Sequence, residues 1–239
     1  MVEWVTSGSI TDLTGEFCRH LDERAREVQG EMAVALTGGR SASAFYDAWA
    51  KHGVNGRMRF YWSDERVVPP TDPDSNFKLA QDRLLGPARV PSEHVHAPLT
   101  SLPPAECAAA YAAEIGRRVA KGTHGTPVFP LIILGMGADG HTGSLFPGRD
   151  PYQDQAALVR AVAETAAHPH ARITFTPQLI NAATHVWFLI TGAAKAWAVK
   201  QLAERTATAE QIPALVVDPN SVRITIFADE GSTGGRQYS

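Results

Sequence analysis

Short apolar runs rich in branched residues alternate along this chain with longer stretches of helical periodicity, and that alternation restricts the fold more than any other feature. Met32–Thr37, Met58–Trp62, Pro130–Gly135, His185–Thr191 and Val222–Ala228 read as strands, with Ala214–Val217 as a weaker one. They are apolar along most of their length instead of alternating, the pattern of strands covered on both faces. Helices are expected at Ile10–Gln29, Ser41–His52, Ser75–Leu85, Pro103–Ala120 and Ala193–Arg205. Ser41 suits the N-cap of the second, and Pro103-Pro104 the first turn of the fourth. Alternating β and α units predict an α/β protein with a doubly wound, mostly parallel sheet flanked by helices.

The 239 residues read as one domain, with 230–239 expected to be a frayed tail. An apolar fraction of 44% supplies a core that needs neither disulfides nor a structural metal. A net charge of -3 provides no basic field, so nucleic acid is not an expected partner. The only two cysteines, Cys18 and Cys107, fall in helical stretches and read as small core hydrophobes. Met1-Val2-Glu3-Trp4 lacks the basic head and apolar run of a signal peptide. No run approaches about 18 apolar residues, so no membrane span is expected. A cytoplasmic protein acting on a small molecule is the resulting expectation; the sequence sets no oligomeric state.

In such sheets ligands bind outside the carboxyl ends of the strands, which directs attention to the loops there. In Thr37-Gly38-Gly39-Arg40-Ser41 two glycines let backbone approach a ligand, and the helix N-terminus beyond offers unpaired N–H groups to an anion. The same residues also suit an ordinary strand-to-helix turn. The next loop, Ser63-Asp64-Glu65-Arg66-Val67-Val68-Pro69, carries a charge triplet between two apolar stretches. Arg66 there has the forked geometry for a phosphate. At Gly192-Ala193-Ala194-Lys195 a lysine in a first helical turn opposes the helix dipole, and an anion shared with that N-terminus would explain it.

The loop Gly135–Pro147 (GMGADGHTGSLFP) carries the most chemistry. Its first six residues match a dinucleotide fingerprint, but Pro147, Gly148 and Pro151 interrupt the long helix that fingerprint requires, and Glu164 is not at a convincing strand end. What remains is His141 beside Asp139 in glycine-rich backbone that includes Gly137. An imidazole moves protons near neutrality, and a carboxylate neighbour fixes its tautomer. The pairs His94/His96 and His168/His170 have no carboxylate or cysteine at a supporting spacing, so no metal or other cofactor is expected.

Together, Thr37–Ser41, Trp62–Arg66 with Asp74–Phe77, Leu134–Gly148, Arg172–Thr176 with Ile180-Asn181, and Phe188–Lys195 resemble the 6-phosphogluconolactonases over most of the chain. Two departures are visible: Arg40-Ser41-Ala42 stands where the family usually has Ser-Thr-Pro, and Gly143 replaces the usual Ala. The related glucosamine-6-phosphate deaminases share a Rossmann-like fold and an Asp-Gly-His loop. They are expected to continue as His-Ile-Ala-Phe-Asn-Glu-Pro, with a carboxylate this chain lacks between His141 and Pro147. A sugar-phosphate sensor of a transcription regulator would need a helix-turn-helix segment, for which the chain has no room.

The resemblance implies a Rossmann-like fold and hydrolysis of 6-phospho-D-glucono-1,5-lactone to 6-phosphogluconate in the oxidative pentose phosphate pathway. His141 would be the general base, and Asp139 would orient it, stabilise its charge or contact the substrate. Arg66, Lys195 and the Gly38-Gly39-Arg40-Ser41 segment would hold the phosphate, with Arg40 ranked below the first two. Asp64 and Asn76 would contact sugar hydroxyls or brace the Arg66 loop, and backbone of the Gly137 loop would face the reacting carbonyl.

Overall fold

A computed structural model describes residues 2–153 and 156–238 of the chain. The elements begin with β1 (Val2–Ser7), α1 (Ile10–Glu27), β2 (Met32–Leu36), α2 (Arg40–His52) and β3 (Met58–Trp62). Next come β4 (Asp64–Arg66), α3 (Asn76–Ala80), α4 (Pro104–Arg118), β5 (Leu131–Gly135), β6 (Val159–Val162) and β7 (Arg172–Phe175). The chain finishes with α5 (Pro177–Asn181), β8 (His185–Ile190), α6 (Ala196–Glu204), β9 (Arg223–Asp229) and α7 (Glu230–Thr233).

Six of these strands form one sheet in the order β1-β9-β8-β5-β2-β3, parallel throughout among the described residues. Both faces are covered, which explains the unbroken apolar runs. In β5, Leu131 and Ile133 pack with α1 and α2, while Ile132 and Leu134 face the layer holding α4 and α6. On the first face Phe17 of α1 meets the rings of Phe45, Trp49, Trp187 and Phe227 at centroid distances of 5.2–5.8 Å. Full burial of such a ring stabilises by about 1.5–3 kcal/mol. Cys18 and Cys107 are buried in α1 and α4, where desolvation pushes both thiols up to about 11.

A second, antiparallel sheet, β4-β7-β6, lies beside the first. The sequence reading had Asp64–Arg66 as loop and assigned no strand to β1, β6 or β7. Three consecutive charged residues carry no strand signal, yet Asp64↔Thr174, Glu65↔Ile173 and Arg66↔Arg172 pair in register. Two further expectations need correction. Ala214–Val217 is not a strand: Pro213 opens a 3-10 turn through Val216, which packs its apolar side chains without joining a ladder. Residues 231–238 do not fray: Asp229 caps α7 by accepting the Ser232 N–H at 2.8 Å, and Tyr238 stacks on Trp4.

Element boundaries also shift. The Ser75–Leu85 helix breaks into α3 and a π turn closed by the Gly86 N–H on the Gln81 carbonyl, and a 3-10 turn at Ala193–Lys195 precedes α6. Ser92–His94 forms a 3-10 turn. Of the loop Gly148–Gln155, residues 154 and 155 lie outside the described ones, as do residues 1 and 239 of the expected single domain.

Candidate active site

Loops following β2, β3, β5 and β8 meet at the carboxyl edge of the large sheet around one open cleft of about 450 Å³. Gly38, Gly39, Arg40, Ser41, Asp64, Arg66, Asn76, His141 and Lys195 all line it, together with Gly143 and Arg172. Among the described residues the lining therefore carries Arg40, Arg66, Arg172 and Lys195 against the single carboxylate of Asp64.

The turn after β2 is held from two sides. The Tyr46 hydroxyl donates to the Thr37 carbonyl at 2.6 Å, and Thr37 Oγ1 accepts the Gly135 N–H at 3.1 Å. Gly38 lies so close to Asn76 that a Cβ would fall 1.8 Å from Oδ1. Gly39, at φ 88°, turns the chain into α2, which starts at Arg40. Ser41 is therefore not the cap. Its buried hydroxyl lies 3.2 Å from the Thr191 N–H and 3.0 Å from the Thr191 hydroxyl, and it accepts from Lys195 Nζ at 2.9 Å. Lys195 thus reaches from the β8 loop to the N-terminus of α2. Burial, and then Arg40, lower its pKa.

On β4, Asp64 is buried and engaged, accepting from the Ser144 hydroxyl at 2.8 Å and Asn76 Nδ2 at 3.3 Å. Asp64 and Asn76 brace the loops to one another. Glu65 points to the opposite side and accepts the N–H groups of Arg66, Asn76 and Phe77 at 2.6–2.7 Å, together with the Ser75 hydroxyl. Desolvation pushes its carboxyl up to about 7 despite those three N–H donors. Arg66 donates through Nη1 to the Asp74 carbonyl, and its buried Nε has no partner among the described residues.

After β5, a tight turn closes with Gly140 N–H on the Gly137 carbonyl at 3.1 Å, and Gly137 N–H donates to the His141 carbonyl at 2.9 Å. His141 Nδ1 lies 2.6 Å from Asp139 Oδ1, which also accepts the His141 N–H at 3.1 Å. Those bonds, above all the one to the His141 side chain, hold the Asp139 carboxyl down to about 2. The ionised carboxylate can only accept, so Nδ1 is the donor in this contact. Gly137 and Asp139 stand behind the imidazole; a Cβ on Gly137 would fall 2.1 Å from Nδ1. Gly143, at φ 52° and with Thr174 Oγ1 2.9 Å from where a Cβ would stand, accounts for glycine at that position.

Two contributions escape sequence reasoning. Arg172 is buried with an unpartnered Nε, opposite Arg66 and 5.5 Å from the Phe146 ring centroid. Phe146 in turn lies 5.2 Å from the His141 ring and stacks on His168 at 4.0 Å. Burial, and then Arg172, lower the His168 pKa. Arg172 was visible only as part of a family motif, because its meaning depends on the strand pairing with Arg66.

A parallel sheet whose carboxyl edge gathers a carboxylate-bound imidazole and four cationic side chains defines an α/β enzyme with a cationic cleft. The family described as glucosamine-6-phosphate isomerases/6-phosphogluconolactonase matches residues 8–226, and the chain belongs to it. A 6-phosphogluconolactonase of Treponema pallidum is 38% identical over 169 residues, 68% of each chain. The one from Nostoc is 33% identical over 88% of this chain and 90% of its own. The solved 6-phosphogluconolactonase of Thermotoga maritima is 28% identical and superposes with a TM-score of 0.80 over 96% of this chain and 99% of its own. That of Trypanosoma brucei is 25% identical, with a TM-score of 0.83 over 99% of both.

Proposed function

We propose that this protein hydrolyses 6-phospho-D-glucono-1,5-lactone to 6-phospho-D-gluconate, as the second step of the oxidative pentose phosphate pathway in the cytoplasm. The observation that carries the reading is the 2.6 Å contact between His141 Nδ1 and Asp139, beside a cleft lined by four cations. Relatives and solved neighbours named 6-phosphogluconolactonase support the choice of substrate.

A lactone is an activated ester, so water and a general base suffice. Nε2 of His141 takes a proton from water as its oxygen attacks C1, and the ring Nδ1–H stays on Asp139. Collapse of the tetrahedral intermediate breaks the bond from C1 to the ring oxygen. The imidazolium returns its proton to that oxygen, leaving the hydroxyl of the open-chain acid. Backbone N–H groups of the glycine-rich loop are suited to the oxyanion, each well-placed donor contributing ~3–4 kcal/mol.

The phosphate is the handle. Arg66 and Arg172 form one cationic pole of the cleft, and Lys195 with Arg40 and the start of α2 forms another. Binding there converts affinity at a remote group into orientation of C1 beside His141. Asp64 and Asn76 hold the loops at fixed separation. The test is direct: fresh 6-phosphogluconolactone is added and acid release is followed against the spontaneous rate. A rate equal to the spontaneous one sinks the reading, whereas activity that survives a chelator agrees with it.

A further inference from the structure

The nine residues 163–171 between β6 and β7 touch both halves of the cleft without lining it. Thr165 and His168 close the loop's tip by reciprocal backbone bonds of 2.8 and 3.0 Å, reinforced by the His168 N–H on Thr165 Oγ1. That turn presents His168, whose ring stacks on Phe146 at 4.0 Å with 20° between planes. Phe146 is the ring beside His141, and His168 itself lies 5.8 Å from the His141 ring. Two residues further on, His170 Nε2 lies 2.9 Å from Asp74 Oδ2. Asp74 is the residue whose carbonyl receives Arg66 Nη1. At the loop's root, the Val67 N–H donates to the Ala171 carbonyl at 2.8 Å, tying it to the strand that carries Arg66.

We propose that loop 163–171 is a strap with two separable positioning residues, His170 setting Arg66 through Asp74 and His168 setting His141 through Phe146. Nothing in the hydrolysis requires either histidine to touch the substrate. The Arg66 side chain has one protein partner among the bonds described, the Asp74 carbonyl. A long side chain held at one point keeps its fork aimed only if that point is itself fixed. Asp74 stands in an exposed loop, and its carboxylate is held by His170 from across the cleft wall. At the other end, an imidazole anchored through Nδ1 alone can still swing about that bond. A flat ring packed against it, and itself backed by a second ring, limits the swing.

The inference rests on the lactonase reading for its kinetic arm, and on phosphate binding alone for the other. Parent, His170→Ala, His170→Gln, His168→Ala and His168→Phe are compared in steady-state lactone hydrolysis and in calorimetric titration with inorganic phosphate. His170→Ala should raise KM for the phosphorylated lactone and Kd for phosphate about two- to fivefold, the worth of an exposed ion pair, with kcat unchanged. Glutamine, whose amide N–H reaches the same carboxylate, should restore both. His168→Ala should lower kcat about tenfold and leave KM and phosphate affinity unchanged, and phenylalanine should restore the rate.

A merely structural strap would make both alanine variants move kcat and KM together, with no rescue, and that result overturns the proposal. So does unchanged phosphate affinity in His170→Ala, or a parent that binds no phosphate. Should His170→Ala fail to fold, Asp74→Asn loosens the same contact without shortening either side chain and gives the same reading. A parent that binds phosphate but does not hydrolyse the lactone would remove the lactonase reading and leave the phosphate arm to decide on His170.

Discussion

Arg66 and Arg172 sit directly opposite each other on the antiparallel strands β4 and β7, and the buried Nε of each lacks a protein partner. Like charges in that arrangement repel, and an arginine cannot relieve the repulsion by losing its proton. Burial, followed by the charge of Arg66, indeed lowers the pKa of Arg172. An anion between them is the natural remedy. Phosphate should therefore protect the protein against heat: at a hundredfold excess over Kd, by about 2.7 kcal/mol, or roughly 5–10 °C for a chain of this size. Arg172→Met should lose most of that protection in a thermal melt. Equal protection of parent and variant would place the phosphate elsewhere.

At the other pole, Lys195 is held by the hydroxyl of Ser41. Lys195→Ala should mainly raise KM for phosphorylated lactone, with little change for an unphosphorylated one. Ser41→Ala should do the same more weakly, by a few-fold, since the cation remains but loses its guide. If both variants discriminate between the two lactones as well as the parent does, Lys195 is not a phosphate ligand.

The imidazole and its carboxylate should fail in different ways. His141→Ala should reduce kcat by about two orders of magnitude or more with the fold intact, as judged by circular dichroism. Asp139→Asn keeps a hydrogen-bonding group beside Nδ1 but no longer secures the tautomer, so kcat should fall while KM holds. Because the Asp139 carboxyl is held down to about 2, its own titration contributes nothing to an activity profile above pH 4. Gly137→Ala gives an independent check: its methyl would overlap Nδ1, so the variant should be folded and nearly inactive.

Stability should carry the mark of Glu65. Its carboxyl is pushed from an ordinary value of 4.5 up to about 7, so between those values the native state binds the proton more readily than the unfolded chain. This group's contribution therefore falls as pH rises from about 4.5 to 7 and is flat beyond. The melting-temperature advantage of the parent over Glu65→Gln should narrow as pH rises across that window, whatever slope groups such as His185 give to both proteins. The variant should also be less stable overall, by about 1–3 kcal/mol, because an amide cannot accept from all four donors that meet the carboxylate. An identical slope in both proteins would assign the pH dependence to another group.

Five strands of the large sheet were readable because they are apolar on both faces, as the split of Leu131 and Ile133 from Ile132 and Leu134 illustrates, whereas the half-exposed edge strand β1 was not. The small sheet was hidden for the opposite reason. Asp64-Glu65-Arg66 pairs through backbone while its side chains serve the cleft and a helix end, so its composition reads as a turn. Ser41 shows how a local rule loses to distant partners: it has the right identity for a helix cap, but Thr191 and Lys195 claim its hydroxyl. Most residues of the cleft were legible as loop motifs. Arg172, His168 and His170 were not, because each acquires its place only through a neighbour brought near by folding.

The tail has a consequence for anyone handling this protein. The Asp229 carboxylate that starts α7 also accepts the Gly192 N–H at 3.0 Å, and Gly192 opens the turn that delivers Lys195. Ser232 completes the junction by donating to the Ile190 carbonyl at 3.0 Å. Trimming the chain after Asp229, or fusing a reporter there, would thus act on substrate affinity through the lysine's scaffold, so a purification handle is better placed beyond Tyr238.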